Sequence, residues 1–286
     1  MADRVHIIGA SGRSGTALCR SLLADHVDFV PVVRNAAKWG IAGIAVAARI
    51  ADLADTTRMA DALRDATHIV CCAHARHTAA VLAAAPPDAR FVLLGSTRKF
   101  TRWPDAHGDG VLAGEAAFLA SRRSGVMLHP TMIYGAQGED NVQRLAALLR
   151  RLPFVPLPGG GNALVQPINQ DDVTHAIRAA LGREWQGPNS LVIAGPKPLR
   201  YADFVRAVAR ASRQPPARIV PLPAGPLMAL AGVLRYIPGL PAIDPAEIRR
   251  LCEDKSFDVQ PMIDVLGFTP MPLCEGLARL FTTKAR

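Results

Sequence analysis

The sequence is poor in cysteine and tyrosine, and it lacks a long uninterrupted hydrophobic run. Its five cysteines form no regular framework, which argues against a disulfide-stapled secreted fold and favours free thiols. The longest apolar stretch, 224–234, contains Pro226 and ends at Arg235, short of the about 20 residues that span a bilayer. Because Asp3 and Arg4 lead directly into an apolar run, we expect no signal peptide and a cytoplasmic location.

Lysine is also scarce, although the chain is basic. Only five of its 33 basic residues are lysines, and the formal net charge is +9. A basic protein can bind nucleic acid, but here the arginines are spread along the chain without a dense basic run. We therefore predict no nucleic-acid partner and expect an anionic cofactor or substrate to account for part of the charge.

Metal-ligating residues are few as well. Cys72, His74 and His77 lie close together in the sequence. A zinc site needs three or four ligands at a characteristic spacing, and no second cluster of cysteine and histidine lies nearby. We predict no metal site.

The strongest signal is a glycine-rich turn near the amino terminus. An apolar run at 5–8 is followed by three glycines at a spacing of three and then by a helical pattern. In such a turn the first glycine permits a sharp bend, the second lets the backbone approach a pyrophosphate, and the third lets helix and strand pack closely. The helix dipole favours the phosphates. The residues predicted to hold a dinucleotide here are Gly9, Ser11, Gly12, Arg13, Ser14 and Gly15.

The end of the second predicted strand indicates which dinucleotide is bound. Residues 29–33 read as a strand that ends at Arg34, where NAD-preferring sites place an acid for the ribose 2′-hydroxyl. An arginine instead suits the 2′-phosphate of NADP. We predict NADP rather than NAD, with Arg34, Arg13 and Lys38 around the phosphate. The alternative is that Arg34 is an ordinary solvated loop residue.

Strand and helix patterns alternate through the first half of the chain with short connections. Such alternation predicts a parallel sheet covered on both faces, a Rossmann-type doubly wound α/β fold. We assign 1–155 to an NADP-binding domain, and 156–286 to segments that complete the sheet and add a small substrate lobe, mainly 200–286. The predicted strands and helices are 44–50, 55–63, 68–73, 78–85 and 91–95.

Later motifs carry a resemblance to a known family. Ser96 follows the fifth strand, Pro130-x-x-x-Tyr134-Gly135 follows a sixth, and Gln166-Pro167 precedes Asp172-Val173. With the glycine turn, Arg34 and Asp52-Leu53, these motifs resemble the extended short-chain dehydrogenases/reductases over most of the chain. The similarity is to the atypical branch, which includes NmrA-like proteins, epimerase/dehydratase relatives and the NADPH-binding 39-kDa-type accessory subunit of respiratory complex I.

This resemblance implies further site residues. It implies that the Pro130 element lines the nicotinamide and substrate, and that the Gln166 element folds the chain back onto the Rossmann domain. The implied additional cofactor contacts are Asp52, Leu53, Pro130 and Met132. The implied substrate contacts are Thr97, Tyr134, Asn141 and Gln166.

The usual catalytic pair of the resembling enzymes is missing. Those enzymes use a tyrosine followed four residues later by a lysine, which together move a proton at the substrate oxygen. None of the three tyrosines has a lysine at that spacing, and the expected helix at 110–119 contains neither residue. Ser96 could bond a carbonyl and Lys99 could reach the nicotinamide, so these are the two candidate catalytic residues. His107 and Asp109 are interpreted as solvated loop residues before the helix.

Three features of the second half are also predicted. Residues 154–161 contain too many prolines and glycines for a regular element. Asp171 or Asp172 should cap the following helix. The apolar segment 222–240 is either core of the small lobe, a hydrophobic substrate pocket, or a surface for a membrane or partner protein.

Three functions remain open. The first is an NADP-dependent atypical oxidoreductase acting on an apolar or modified small molecule. The second is a non-catalytic NADP(H)-binding redox sensor or assembly protein, which the missing tyrosine–lysine pair favours. The third is a sugar-nucleotide epimerase or dehydratase.

Overall fold

A computed structural model describes residues 4–135, 141–152, 154–234 and 245–282 of the chain as alternating strands and helices. The strands are β1 (Val5–Ile8), β2 (Phe29–Val33), β3 (Arg49–Ile50), β4 (His68–Cys71), β5 (Arg90–Leu94), β6 (Gly125–Pro130), β7 (Ile133–Tyr134), β8 (Val155–Pro158), β9 (Leu164–Val165), β10 (Ile168–Asn169), β11 (Pro188–Ile193), β12 (Leu199–Arg200) and β13 (Ile219–Leu222). The helices are α1 (Arg13–Ala24), α2 (Ala36–Ile41), α3 (Thr56–Leu63), α4 (Thr78–Ala84), α5 (Ala106–Ser121), α6 (Asn141–Leu149), α7 (Gln170–Leu181), α8 (Tyr201–Ala211), α9 (Ala224–Leu234), α10 (Pro245–Arg250), α11 (Gln260–Leu266) and α12 (Leu273–Thr282).

Seven parallel strands form the central sheet, in the order β11-β6-β5-β4-β1-β2-β3. The chain winds outward from β1 to β3 and then returns to continue on the other side from β4. Strand order therefore reverses between β1 and β4, and ligands of such sheets bind beyond the carboxyl ends of the strands at that point. The predicted Rossmann-type doubly wound fold is confirmed.

The central strands are apolar because helices cover both faces of the sheet. Ile7 packs on one face with Leu18 of α1 and Ile177 of α7. Its neighbour Ile8 packs on the opposite face with Leu63 of α3. This alternation places α5, which belongs to the second face, beside the carboxyl ends of β4 and β5.

A third core lies in the part of the chain that follows β6. Tyr134, Val142, Val155, Phe204 and Leu277 are buried together and join α6, β8, α8 and α12. Strand pairs β10-β7, β12-β9 and β13-β8 connect these elements.

The predicted third strand is shorter in the structure than the sequence suggested. Only Arg49–Ile50 pairs with β2, whereas 44–48 is a loop. Ile44 is buried in the core, and the carbonyl of Val46 accepts a hydrogen bond from Trp39 Nε1 at 2.9 Å. The apolar run therefore packs against α2 instead of extending the ladder.

Two predictions for the second half are wrong. Residues 155–158 form β8, which pairs with β13; prolines fit there because a two-stranded ladder leaves one edge unpaired. The cap of α7 is Asn169, whose side chain accepts from the amide of Asp171 at 2.8 Å. Asp172 instead accepts from the amide of Met271 at 2.9 Å, which ties α7 to the C-terminal segment.

The apolar segment near 222–240 is partly described. Leu227 of α9 is buried against Ile248 of α10. Residues 235–244 lie outside the described ranges. Within those ranges, every helix is too short or too polar to cross a bilayer.

Candidate functional site

The glycine turn has the geometry that its spacing predicted. Gly9 has φ +75°, and a Cβ there would lie 3.0 Å from Ala73 N. A Cβ on Gly15 would lie 2.3 Å from Gly9 O, so the helix packs against the turn more closely than a side chain allows. Gly12 is the N-cap of α1 and supplies no capping side chain. The first-turn amides of α1 are therefore oriented as a cradle for phosphate.

A pocket of about 420 Å³ adjoins this turn at the carboxyl ends of the central strands. It is lined by Arg13 and Ser14 of the turn, 72–75 after β4, Gly95 after β5 and Pro130 of β6. This is the switch point of the sheet, where a dinucleotide would run from the turn towards β5 and β6. The residues present therefore fit a nicotinamide dinucleotide.

Gln170 joins the turn to the second half of the chain. Ser14 Oγ donates to Gln170 Oε1 at 3.0 Å, and both residues line the pocket. The resemblance implied that the Gln166 element folds back onto the Rossmann domain, but it did not single out Gln170, whose contact with the turn arises when α7 packs beside α1.

A larger groove of about 840 Å³ lies between α1 and α7 and is lined by Arg20, His175 and Arg178, among others. It is open and follows the flank of the two helices. We place the candidate site in the smaller pocket, because that pocket lies at the strand ends beside the glycine turn.

Helix α5 presents two side chains to the pocket, His107 and Val111. The prediction that His107 and Asp109 lie in a loop is wrong. Asp105 caps the helix by accepting from His107 N at 3.0 Å, so the helix begins at Ala106. His107 and Val111 thus occupy one helix face at the four-residue spacing that the missing tyrosine and lysine would have.

A second histidine stands beside the first. The rings of His74 and His107 meet edge to face, with centroids 4.3 Å apart and planes at 84°. His74 Nδ1 accepts from the amide of Arg76 at 3.1 Å, which leaves Nε2 as its protonated nitrogen. Burial lowers the pKa of both histidines, and the neighbouring Arg98 further lowers the pKa of His107.

Ser96 and Thr97 lie at the end of β5, directly after the pocket residue Gly95. Ser96 Oγ accepts from the amide of Arg98 at 3.2 Å and so caps a short 3₁₀ turn. Its own hydroxyl hydrogen remains to be donated, so a bond to a substrate carbonyl stays a prediction. Thr97 Oγ1 donates to Pro130 O at 3.2 Å, which joins the β5 loop to the end of β6.

Lys99 belongs to a buried polar cluster and does not line the described pocket, contrary to the expectation that it would reach the nicotinamide. Its Nζ lies 2.5 Å from Glu115 Oε1 and 3.4 Å from Ser190 Oγ. Glu115 also lies 3.1 Å from His129 Nε2, and His129 Nδ1 accepts from Ser96 N at 3.2 Å. Burial, with a contribution from Lys99, lowers the pKa of His129 to about 4. The cluster fixes the backbone on which Ser96 stands.

Two predicted substrate residues are structural instead. Tyr134 is buried in the small-lobe core, where its hydroxyl lies beside the Asn169 side chain without a well-formed hydrogen bond, and burial raises its pKa to about 12 while Asn169 partly opposes that rise. A Cβ on Gly276 would lie 2.2 Å from that hydroxyl, so the chain closes directly over it. Gln166 is also buried, and its amide donates to Gly195 O at 2.8 Å and accepts from Phe257 N at 2.7 Å. Neither side chain is available to a substrate.

The remaining predicted contacts lie near the edges of the site. Asn141 is exposed at the start of α6, and Met132 is half-buried against the small-lobe core. Leu53 is half-buried beside α3. Their contacts with ligands remain predictions.

The predicted 2′-phosphate site lies at the carboxyl ends of β2 and β3. Arg34 is 79% exposed, and its Nε lies 3.9 Å from Asp52 Oδ2. Lys38 is exposed on α2 just beyond Arg34. All three are therefore accessible from the same edge of the sheet as the glycine turn.

Metal binding has no support in the described residues, where no three histidine, cysteine or acidic side chains are grouped to hold an ion.

Similarity to known proteins agrees with this geometry. A sequence model of the NAD(P)H-binding family matches residues 9–112. No curated protein sequence matches the chain. Among solved structures, an NADPH-dependent quinone oxidoreductase from Escherichia coli is similar with a TM-score of 0.77 and 17% identity, over 97% of this chain and 99% of that chain.

Epimerases share the fold as well. The UDP-glucuronic acid 4-epimerase of Bacillus cereus, solved with UDP-glucuronic acid and NAD, is similar with a TM-score of 0.73 and 16% identity, over 99% of this chain and 100% of that chain. These identities are too low to transfer an activity, but they agree on the architecture of the whole chain. Residues 9–112 therefore match an NAD(P)H-binding family, and the chain as a whole has the Rossmann-type fold of these solved structures, as the resemblance seen in the sequence led us to expect.

Proposed function

We propose that this protein is an NADP(H)-dependent oxidoreductase acting on an apolar or modified small molecule. The observation that carries the proposal is one continuous site. The glycine cradle, with Arg13 and Ser14, opens into a pocket that reaches Gly95 and Pro130 at the ends of β5 and β6. A dinucleotide held at the turn would place its nicotinamide there.

The preference for NADP rests on Arg34. It stands at the end of β2, is accessible, and is the residue type that pairs with a 2′-phosphate. Asp52 lies nearby, and its side chain accepts a hydrogen bond from the backbone amide of Ala54. Among solved structures of the same fold, one was determined with NADPH and another with NAD. Because the fold does not decide between the two cofactors, the preference for NADP is inferred from Arg34.

The bound cofactor would supply or accept a hydride. The chain's own part is to hold the phosphates at the turn, to shape the far end of the pocket and to exclude water from it. Apolar side chains such as Leu94, Val111 and Ile133 line that end, which supports an apolar reacting group.

The test is NADPH consumption with a panel of quinones, aldehydes and ketones. We expect at least one class to oxidise NADPH faster than NADH, with the rate proportional to protein concentration. If the protein binds NADPH tightly but no member of the panel oxidises it, the proposed enzymatic activity is rejected.

A second candidate is a non-catalytic NADP(H)-binding protein. It is favoured by the engagement of Lys99 with Glu115 and by the burial of Tyr134, which remove two side chains expected at the reacting centre. The same panel separates the two candidates, because a binding protein leaves NADPH unoxidised.

A further inference from the structure

The described lining of the pocket contains few groups that can exchange a proton near neutral pH. Arginine stays charged, so Arg13 is excluded, and the candidates are Cys72, His74 and His107. Burial raises the pKa of the Cys72 thiol well above its usual value. The two histidines are therefore the groups that remain.

The two histidines are held differently. His74 is fixed: its Nδ1 accepts from Arg76 N, and its Cε1 lies so near Gly110 that a Cβ there would be 2.9 Å away. His107 is exposed on the first turn of α5, and among the described residues its ring nitrogens have no hydrogen-bond partner. Its contact with His74 fixes the ring plane and leaves both nitrogens open to a ligand.

Position on the helix points to the same residue. His107 and Val111 face the pocket four residues apart, on the face of α5 next to Gly95 and the glycine turn. Of this pair, only His107 can move a proton.

The geometry points to His107 as the catalytic residue that exchanges a proton with the substrate oxygen, with His74 as its positioning residue. This inference rests on the proposed oxidoreductase function and names the acid–base group of that same site. In the reducing direction the carbonyl carbon gains a hydride from the reduced cofactor, and the π-electron pair of the C=O bond moves to oxygen. That oxygen takes the proton of the His107 imidazolium, and His107 is reprotonated from water. In the oxidising direction neutral His107 accepts the hydroxyl proton.

The surroundings of His107 set the direction of its pH dependence. Burial and nearby arginines lower its pKa below 6.5, whereas Asp105 opposes this. Carbonyl reduction should therefore slow as pH rises through that lowered pKa, and alcohol oxidation should speed up over the same range. The charged and titratable groups around the ring are His74 and Arg76 after β4, Arg98 after β5, Asp105 at the start of α5 and Arg250 of α10.

The test uses His107→Gln, which keeps a polar side chain of similar reach without titrating. We expect kcat/KM to fall about 100-fold or more and the acidic inflexion of its pH profile to disappear. The dissociation constant for NADPH should stay within about twofold, since His107 lies on α5, outside the glycine turn proposed to hold the phosphates. His26→Asn is the control: His26 is exposed in the α1–β2 turn at φ +55°, which asparagine tolerates.

His74→Asn tests the positioning role, because asparagine can still accept from Arg76 N. The His74 ring covers one side of His107, so its removal lets more water reach the imidazole, and the inflexion should move upward towards 6.5 while kcat falls and KM changes little. A second readout needs no turnover: in protein carrying ¹³C-labelled histidine, the His107 ring signal, identified by its loss in His107→Gln, should shift when NADP⁺ is added.

The outcomes separate the two claims. If the wild type binds NADPH and oxidises it with no substrate of the panel, both the proposed function and this assignment are rejected. If turnover persists in His107→Gln with an unchanged pH profile, or if the NMR signal of the His107 ring does not shift when NADP⁺ is added, only the assignment of His107 as the acid–base residue is rejected.

Discussion

Replacing Gly15 by alanine should damage both the fold and the cofactor site. The new Cβ would lie 2.3 Å from Gly9 O and 2.8 Å from Ala10 Cα. Favourable contacts between such atoms begin at about 3.5 Å, so α1 must move roughly 1 Å from the turn. These neighbours are backbone atoms of the adjoining turn, which cannot rotate away as a side chain could.

The magnitude follows from two opposing effects. Overpacking of this kind costs about 1–3 kcal/mol, and alanine in place of glycine within a helix returns about 0.5–1 kcal/mol. We expect a net loss of about 0–2.5 kcal/mol in the free energy of unfolding. Because the displaced first-turn amides belong to the proposed phosphate cradle, NADPH affinity should fall about tenfold or more.

Gly40→Ala is the matched control. Gly40 also lies within a helix, α2, but no atom lies within 4 Å of a Cβ built there. That variant should be stabilised by about 0.4–1 kcal/mol and should bind NADPH like the wild type. Urea denaturation and NADPH fluorescence titration measure both quantities. Wild-type affinity and stability in Gly15→Ala would refute the close packing of helix and turn.

Three further predictions concern cofactor choice and buried polar groups. Arg34→Ala should weaken NADPH binding about tenfold or more and leave NADH binding unchanged; equal effects on both, or the same effect from the distant surface variant Arg64→Ala, would reject the 2′-phosphate assignment. Fully buried His129 has a pKa of about 4, below its unfolded value of 6.5. The unfolded chain therefore takes up the extra proton at a higher pH than the folded protein, so the free energy of unfolding should fall by up to about 3 kcal/mol as pH drops from 6.5 to about 4. Urea denaturation at several pH values measures this fall; if His129→Gln shows the same dependence of unfolding free energy on pH, His129 is not its cause. Tyr134→Phe removes a buried hydroxyl that lies beside the Asn169 side chain without a well-formed hydrogen bond, so it should keep activity and change the free energy of unfolding by less than about 1 kcal/mol; a loss of activity would show that Tyr134 belongs to the site.

Local signals predicted the dinucleotide-binding half well. The apolar run of β1, the glycine spacing and the start of α1 are all encoded within a short segment, and the structure reproduces them. Strand β8 was missed because it contains two prolines and is followed by three glycines, whereas its regularity comes from pairing with β13, far along the chain.

The start of α5 was missed for a different reason. Gly108 and Gly110 suggested a loop, yet both serve close packing. A Cβ on Gly108 would lie 3.0 Å from Arg98 O, and one on Gly110 would lie 2.9 Å from His74 Cε1. Asp105 was the available signal, since aspartate is a preferred N-cap. The pairing of His74 with His107 depends on this packing and could not be seen in the sequence.

Side-chain roles implied by the resemblance were the least secure. Tyr134 and Gln166 stand in the expected motifs, but their surroundings bury them. A motif fixes where the backbone passes; the neighbours contributed by distant elements decide whether a side chain reaches the ligand.

We propose that the turn at Gly9, Gly12 and Gly15 holds an NADP-type dinucleotide selected by Arg34. Equilibrium titration of the wild-type protein with NADPH and NADH, side by side, tests it most directly. We expect NADPH to bind saturably and about tenfold or more tighter than NADH. Binding of neither cofactor, or equal affinity for both, would contradict it.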